Sequence, residues 1–346
     1  MDDLKDLPSR KSDHIRINLD EDVQSFLTSG LERYQFIHHA LPELNLDQVS
    51  LDQQIFQKHQ KIPILISSMT GGTEEAERIN RNLAIAAQVT GAAMGLGSQR
   101  AAIEHPDLVA TFQIRKYAPD ILLFANLGAV QLNYGYTIDQ CRRAVEMVNA
   151  DALILHLNPL QEAVQSGGNT RFSGLLEKIS RVCRQLHVPV IVKEVGWGIS
   201  EETARQLASA GVAAIDIAGA GGTSWSQVEM YRAKNSRQAQ IAEAFRGWGI
   251  STSESLLQAR IGAPQQLIFA SGGLRNGIDI AKCIALGAVL GGMAGPILKA
   301  AVDGEEDTIA LIEDIVREIQ IVMFLVGAAR ISDLQTTPLT IENSRR

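Results

Sequence analysis

Apolar residues along this chain fall into short runs, each closing on glycine, serine or asparagine. Eight such runs recur: "IPILISSMTGG" from Ile62, "GAAMGLGS" from Gly91, "ILLFANLG" from Ile121, "ALILHLN" from Ala152, "PVIVKEVG" from Pro189, "VAAIDIAGAGG" from Val212, "QLIFASGG" from Gln266 and "AVLGGMAG" from Ala288. Between them the apolar period changes to that of a helix, as in "EEAERINRNLAIAAQV" with Ile79, Leu83, Ala86 and Ala87 on one face, and in "IDQCRRAVEMVNA", "SEETARQLASAG" and "NGIDIAKCIALG". Runs that are apolar on both faces and alternate with helices belong to a parallel sheet. Eight of them in one chain predict a closed α/β barrel of the (β/α)8 TIM type. Residues 1–61 read as an N-terminal extension, 62–300 as the barrel and 301–346 as a C-terminal helix and tail, all in a single domain. The long helix is expected over about Glu306 to Arg330. The connection between the sixth and seventh strands, about Thr223 to Ala263, is longer than its neighbours and reads as a flap over the site.

Bulk properties narrow the class. The net charge of −7 argues against a nucleic-acid partner, which needs a basic face. Cys141, Cys183 and Cys283 are scattered over helical stretches, as expected of buried thiols in a reducing cytoplasm. The opening "MDDLKDLPSRKSDHIRI" lacks the apolar core of a signal peptide. The most membrane-like run, "IQIVMFLVGAA" from Ile319, is too short to cross a bilayer and reads as the end of a docked helix. A cytoplasmic protein with no membrane partner is expected.

Chemistry in such barrels sits at the C-terminal ends of the strands. "SGGLRNGIDI" after the seventh strand and "GGMAGP" after the eighth place glycine-rich turns and helix N-termini together, which is the pattern of a phosphate cup. Lys193 ends a buried run, and a buried ammonium is costly unless its charge is used. The anionic N1/O2 edge of a reduced flavin would use it. With "SSMTGG", Asn126 and Thr223 at other strand ends, FMN is the expected cofactor. "HLNPLQE", His156 to Glu162, sets an imidazole, two amides and a carboxylate directly after a buried strand. Alone, His156 reads as an ordinary core histidine.

"RKSDH" from Arg10, "ISSMTGG", "GLGSQR", "HLNPLQE", "VKEVGWG" and "SGGLRNGIDIAKCIALGA" together resemble the type 2 isopentenyl-diphosphate isomerases, and the likeness runs on to "GAARISDLQTTPL". The resemblance implies interconversion of isopentenyl and dimethylallyl diphosphate by a 1,3-proton shift, with reduced FMN as acid–base cofactor and NADPH as reductant. It implies Mg²⁺ on Glu162, and Gln161 beside the substrate alkene with His156 and Asn158 deeper. Substrate contacts fall to Arg10, Lys11, Ser98, Gln99, Arg100 and Gln161. FMN contacts fall to Ser68, Met69, Thr70, Ser98, Asn126, Lys193, Thr223, Gly273, Leu274, Arg275, Ala294 and Gly295. A homo-oligomer, tetramer or octamer, is implied as well. Other FMN barrels fit less well. A 2-hydroxy acid oxidase needs a histidine base late in the chain, yet the histidines end at His187. A dehydrogenase acting on IMP needs a cysteine in the sixth loop, and "GGTSWSQ" has none.

Overall fold

The computed structural model describes residues 7–341, without the side chains of residues 7–10 and 12. Eight parallel strands close a barrel: β1 (Ile64–Ile66), β2 (Ala93–Gly95), β3 (Leu123–Gly128), β4 (Ala152–His156), β5 (Val190–Lys193), β6 (Ala214–Asp216), β7 (Leu267–Ser271) and β8 (Leu290–Met293). Each lies inside one of the eight apolar runs. Alternation explains why those runs are apolar throughout. Leu65, Ala93, Phe124, Ile154, Ile191, Ala214 and Phe269 fill the barrel, while Ile64, Ile66, Met94, Leu123, Leu153, Val192, Ile215 and Ile268 pack with the surrounding helices. The helix Glu74–Thr90 shows how local sequence sets the boundaries. Thr73 Oγ1 accepts from Ala76 N–H, three glutamates occupy the first turn, and Gly91 ends it with φ 82°.

The bottom of the barrel is plugged by an antiparallel hairpin, Gln53–Ile55 with Lys58–Gln60. Its turn carries Phe56, whose ring meets Phe124 and Phe269 edge-on, each at 6.3 Å. The opposite end is left for chemistry. There the register brings polar residues side by side: Gly128 pairs with His156, His156 with Lys193, and Lys193 with Asp216.

Two expectations about the periphery change. The long helix is Glu305–Leu325, ending well before Arg330, because Val326 leaves helical geometry and Gly327 turns left-handed with φ 72°. Beyond it, Leu339–Ile341 forms an antiparallel ribbon with Tyr34–Phe36. The sixth connection is not an open flap. It folds into the helices Trp225–Tyr231, Ser236–Glu243 and Thr252–Gly262, and is tied to the N-terminal segment by Ser25 N–H to Gly222 O and Ser224 N–H to Val23 O, both 2.8 Å. Among the described residues no helix is long and apolar enough to cross a membrane. Cys141 and Cys283 are buried, Cys183 is partly so, and all three are free thiols.

Candidate active site

A cavity of about 680 Å³ opens at the C-terminal ends of the strands, roofed by the N-terminal helix α1 (Leu7–Asp20) and the helix Trp225–Tyr231. Most of the residues singled out above line it: Lys11, Ser68, Met69, Thr70, Ser98, Arg100, Asn126, His156, Asn158, Gln161, Glu162, Lys193, Thr223, Gly273, Leu274, Arg275, Ala294 and Gly295. Arg10 falls on α1, but its side chain lies outside the described residues.

Gln99 is the exception. Its side chain is fully buried away from the cavity, where Nε2 donates to Ala144 O at 2.8 Å and Oε1 accepts from Asn126 N–H at 2.9 Å. Its own N–H is spent on Asn126 O. Gln99 thus braces the ends of β2 and β3, and only its neighbours Ser98 and Arg100 face the site.

The stretch His156–Glu162 resolves into a strand end followed at once by a short helix, Pro159–Val164. Pro159 at its first position needs no N–H partner and fixes the turn. Asn158 Nδ2 donates to Gln161 Oε1 at 3.1 Å and to Glu162 Oε1 at 2.9 Å. Glu162 Oε2 accepts from Gln165 Nε2 and from Asn169 N–H. A carboxylate has about four lone-pair sites, and these three bonds leave one acceptor position on Oε1. Among the described residues there is no cluster of three acidic, histidine or cysteine side chains around it. A single carboxylate oxygen suits a cation that keeps most of its water or is shared with phosphate oxygens, which is how Mg²⁺ is usually held. His156 Nδ1 donates to Asn126 Oδ1 at 2.8 Å, and Asn126 Nδ2 is oriented by Leu96 O at 2.9 Å.

Two acidic and basic groups escaped the sequence reading. Glu229, from the helix Trp225–Tyr231, is 3% exposed and accepts from Gln161 Nε2 at 3.0 Å. His14 Nε2 lies 3.3 Å from Glu229 Oε1, and Arg232 Nη1 2.8 Å from Oε2. Burial pushes this carboxyl up, but the bonds and charges of His14, Arg232 and Gln161 outweigh it and hold the group at about 2. The His14 ring stands edge-on to Trp225, 5.0 Å between centroids. A signal was present: Trp225, Glu229 and Arg232 are spaced to share one helical face. Lys11 Nζ reaches across to Ser98 O at 3.0 Å.

The cup after β7 and β8 is built differently from the expectation of two helix N-termini. The helix Gly277–Ala285 spends its first amides internally. Asn276 Oδ1 accepts from Asp279 N–H, Asp279 Oδ2 from Arg275 N–H, and Glu318 Oε2 from Gly277 N–H. The helix Gly295–Asp303 has no side-chain cap at Ala294, and a Cβ added to Gly295 would meet nothing within 4 Å. Its end is open to an anion. Gly273 has another duty: a Cβ there would lie 2.4 Å from Gly221 O, so the glycine lets the loops after β6 and β7 touch.

On the β1 side, Ser67 Oγ, Ser68 Oγ and Thr70 Oγ1 are buried at the cavity wall without a hydrogen-bond partner among the described residues. Buried hydroxyls are ordinarily bonded. Together with Lys193 and the open Gly295 end, they fit a flat polar ligand carrying one phosphate, as FMN does.

Fold and site therefore define a barrel of the flavoprotein type, and a family model described as FMN-dependent dehydrogenase matches residues 140–341. A solved mandelate oxidase bound to (S)-2-phenylpropionate superposes with a TM-score of 0.64 at 19% identity, over 98% of each chain, a likeness of fold alone. The isopentenyl-diphosphate delta-isomerase of Synechocystis sp. is 54% identical over 333 residues, 96% of this chain and 95% of its own. That of Nostoc sp. is 53% identical over 328 residues, 94% of each, and that of Rickettsia prowazekii 52% over 325 residues, 94% and 95%. The chain belongs to the isopentenyl-diphosphate delta-isomerase family. It is an enzyme, with the fold and family anticipated from its motifs.

Proposed function

We propose that this enzyme interconverts isopentenyl and dimethylallyl diphosphate, with FMN along the strand ends and Mg²⁺ between Glu162 and the substrate diphosphate. The observation that carries this reading is the joining of Gln161, Glu162, Glu229 and His14 into one hydrogen-bonded cluster facing the glycine-rich cup across a single cavity. The cup and the buried hydroxyls of Ser68 and Thr70 support that position for the cofactor. Lys11 and Arg100 supply local positive charge for a diphosphate in a chain of net charge −7. Arg10 would add to it.

An unactivated alkene is a weak base, so a 1,3-proton shift needs a proton donor and acceptor held close to it in a dry place. Reduced FMN supplies such a proton-carrying nitrogen and an electron-rich ring when bound. The chain supplies orientation. Asn158 fixes Gln161 and Glu162 relative to one another. Gln161 is oriented between Asn158 and Glu229, so that its amide presents a defined face to the substrate. Glu229, kept ionised by His14 and Arg232, accepts from the Gln161 amide and fixes its orientation. The roof from α1 and Trp225 covers this part of the cavity.

NADPH as the physiological reductant, a cytoplasmic location and a tetrameric or octameric assembly belong to the same reading. The test is an anaerobic assay with isopentenyl diphosphate, FMN, Mg²⁺ and NADPH or dithionite. Product is expected only after the flavin is reduced, with many turnovers per reductant consumed. Product matched one for one by reductant loss would mark an oxidoreductase and overturn the reading.

A further inference from the structure

Arg100 lines the cavity from the start of a five-residue helix, Arg100–Glu104, that follows the end of β2. One turn on, Glu104 Oε1 accepts from Arg100 Nε at 2.8 Å. The same oxygen accepts from the Tyr136 hydroxyl at 3.1 Å, reaching over from the turn that follows β3. The Arg100 and Glu104 side chains are only 16% and 20% exposed, so this pair is largely withdrawn from solvent screening. Glu104 Oε2 is buried with no hydrogen-bond partner among the described residues. Neither Glu104 nor Tyr136 lines the cavity itself. Tyr136 is anchored in turn, its N–H donating to Gln131 O at 3.1 Å and its ring packing on the main core. Burial, then the charge of Glu104, push the phenol well above its ordinary value, so its hydroxyl remains a donor at neutral pH.

The pair runs in the direction that does least for its helix. Acidic groups favour the first turn and basic groups the last, and an i,i+4 ion pair is better with the acid standing first. Here the arginine opens the helix and the glutamate closes it. A carboxylate beside Arg100 also works against an anionic ligand by charge alone. What the arrangement supplies is orientation. Gln99, immediately before Arg100, is already fixed by Ala144 O and Asn126 N–H. The start of the helix is therefore set, and the long Arg100 side chain is the part left to orient. A guanidinium is a planar fork. Holding its Nε on an oxygen that Tyr136 also holds restricts the plane of that fork.

We propose that Glu104 and Tyr136 are positioning residues that set the plane of the Arg100 guanidinium for the substrate diphosphate. The proposal rests on the reading of Arg100 as a diphosphate contact and deepens it. A fork held in plane meets phosphate oxygens with directed hydrogen bonds, whereas a swinging one offers little more than a point charge. The two effects of Glu104 have opposite signs. Its charge repels the diphosphate, and its bond orients the group that binds it, so removing the side chain shows which of them wins.

The experiment is steady-state kinetics with isopentenyl diphosphate on the FMN-loaded enzyme, reduced anaerobically and saturated with Mg²⁺. Glu104→Leu should raise KM about tenfold and leave kcat within about twofold, the pattern of lost uniform binding. Glu104→Gln keeps one acceptor oxygen and should fall between that variant and the native enzyme. Tyr136→Phe removes only the outer bond and should raise KM about threefold. In an Arg100→Ala background, Glu104→Leu should add less than about twofold, because the group it orients is gone. Should Glu104→Leu not fold, Glu104→Gln and Tyr136→Phe set against Arg100→Ala make the same comparison. An unchanged or lower KM on loss of Glu104 would overturn the proposal. So would a rise that persists undiminished without Arg100, which is the mark of a general packing defect. Either result beside normal isomerisation by the native enzyme leaves the substrate reading standing. A native enzyme that does not isomerise isopentenyl diphosphate overturns that reading and the proposal with it.

Discussion

Gln161 Nε2 donates to Glu229 Oε1 at 3.0 Å, joining the short helix after β4 to the helix that opens the sixth connection. The bond gives an otherwise rotatable amide one orientation, because Asn158 Nδ2 already occupies the amide oxygen. It also brings a carboxylate held at about 2 into contact with a side chain at the cavity wall.

Glu229→Gln keeps the shape of this contact and removes its charge. Turnover should fall about tenfold or more, on the scale of a lost bond to a charged group that orients Gln161, with FMN absorbance unchanged. Steady-state kinetics beside a visible spectrum checks both halves. Equal turnover in variant and native enzyme would exclude Glu229 from the reaction.

The same carboxyl makes a statement about acid stability. Its folded value of about 2 lies below the 4.5 of an unfolded chain. The unfolded state therefore binds more protons as pH falls. The contribution is complete above pH 4.5 and is lost as pH drops through about 2, on the order of 3 kcal/mol in all. Urea midpoints for Glu229→Gln should change less than native midpoints between about pH 5 and 3.

Glu162→Gln should leave the protein yellow while weakening its apparent Mg²⁺ affinity at least about tenfold, since the amide keeps the volume and loses the anion. It should also lower thermal stability by about 1–3 kcal/mol, because an NH₂ group must now face one of the donors Asn158, Gln165 or Asn169. Activity titrated against Mg²⁺, with a parallel melt, separates the two effects.

The two glycines of the cup should behave differently. Gly295→Asp adds a carboxylate where a Cβ meets nothing within 4 Å. Apo stability should change by less than about 0.5 kcal/mol. FMN affinity should fall at least about tenfold from repulsion of the phosphate. Gly273→Ala, with its Cβ 2.4 Å from Gly221 O and φ at 73°, should destabilise the fold itself. Fluorescence titration of FMN and melting of the apo protein distinguish them.

The barrel was legible because each strand is buried on both faces and stops at a polar or glycine-rich turn, so Ile64–Ile66 or Leu267–Ser271 stand out as runs. His156 to Glu162 was legible because the chain delivers it as one piece. His14 and Glu229 were not singled out because they come from segments far apart in sequence, and only tertiary packing brings them to 3.3 Å. Gln99 misled for the opposite reason. Adjacency to Ser98 and Arg100 says nothing about which way a side chain turns, and Ala144 O claims it. The cup was legible as glycine-rich turns at two strand ends, but not the partial capping of one of its helices by Asn276 and Glu318, which only packing reveals.

The ribbon that pairs Tyr34–Phe36 with Leu339–Ile341 bears on how the chain is made. Tyr34–Phe36 has no ribbon partner until Leu339–Ile341 has been made. The barrel closes between its first and eighth strands, so it can fold as a unit once Leu290–Met293 has been made. The ribbon therefore closes only after all eight strands exist, whereas the segment carrying Lys11 and His14 can already be held by the sixth connection through Gly222, Ser224 and Glu229.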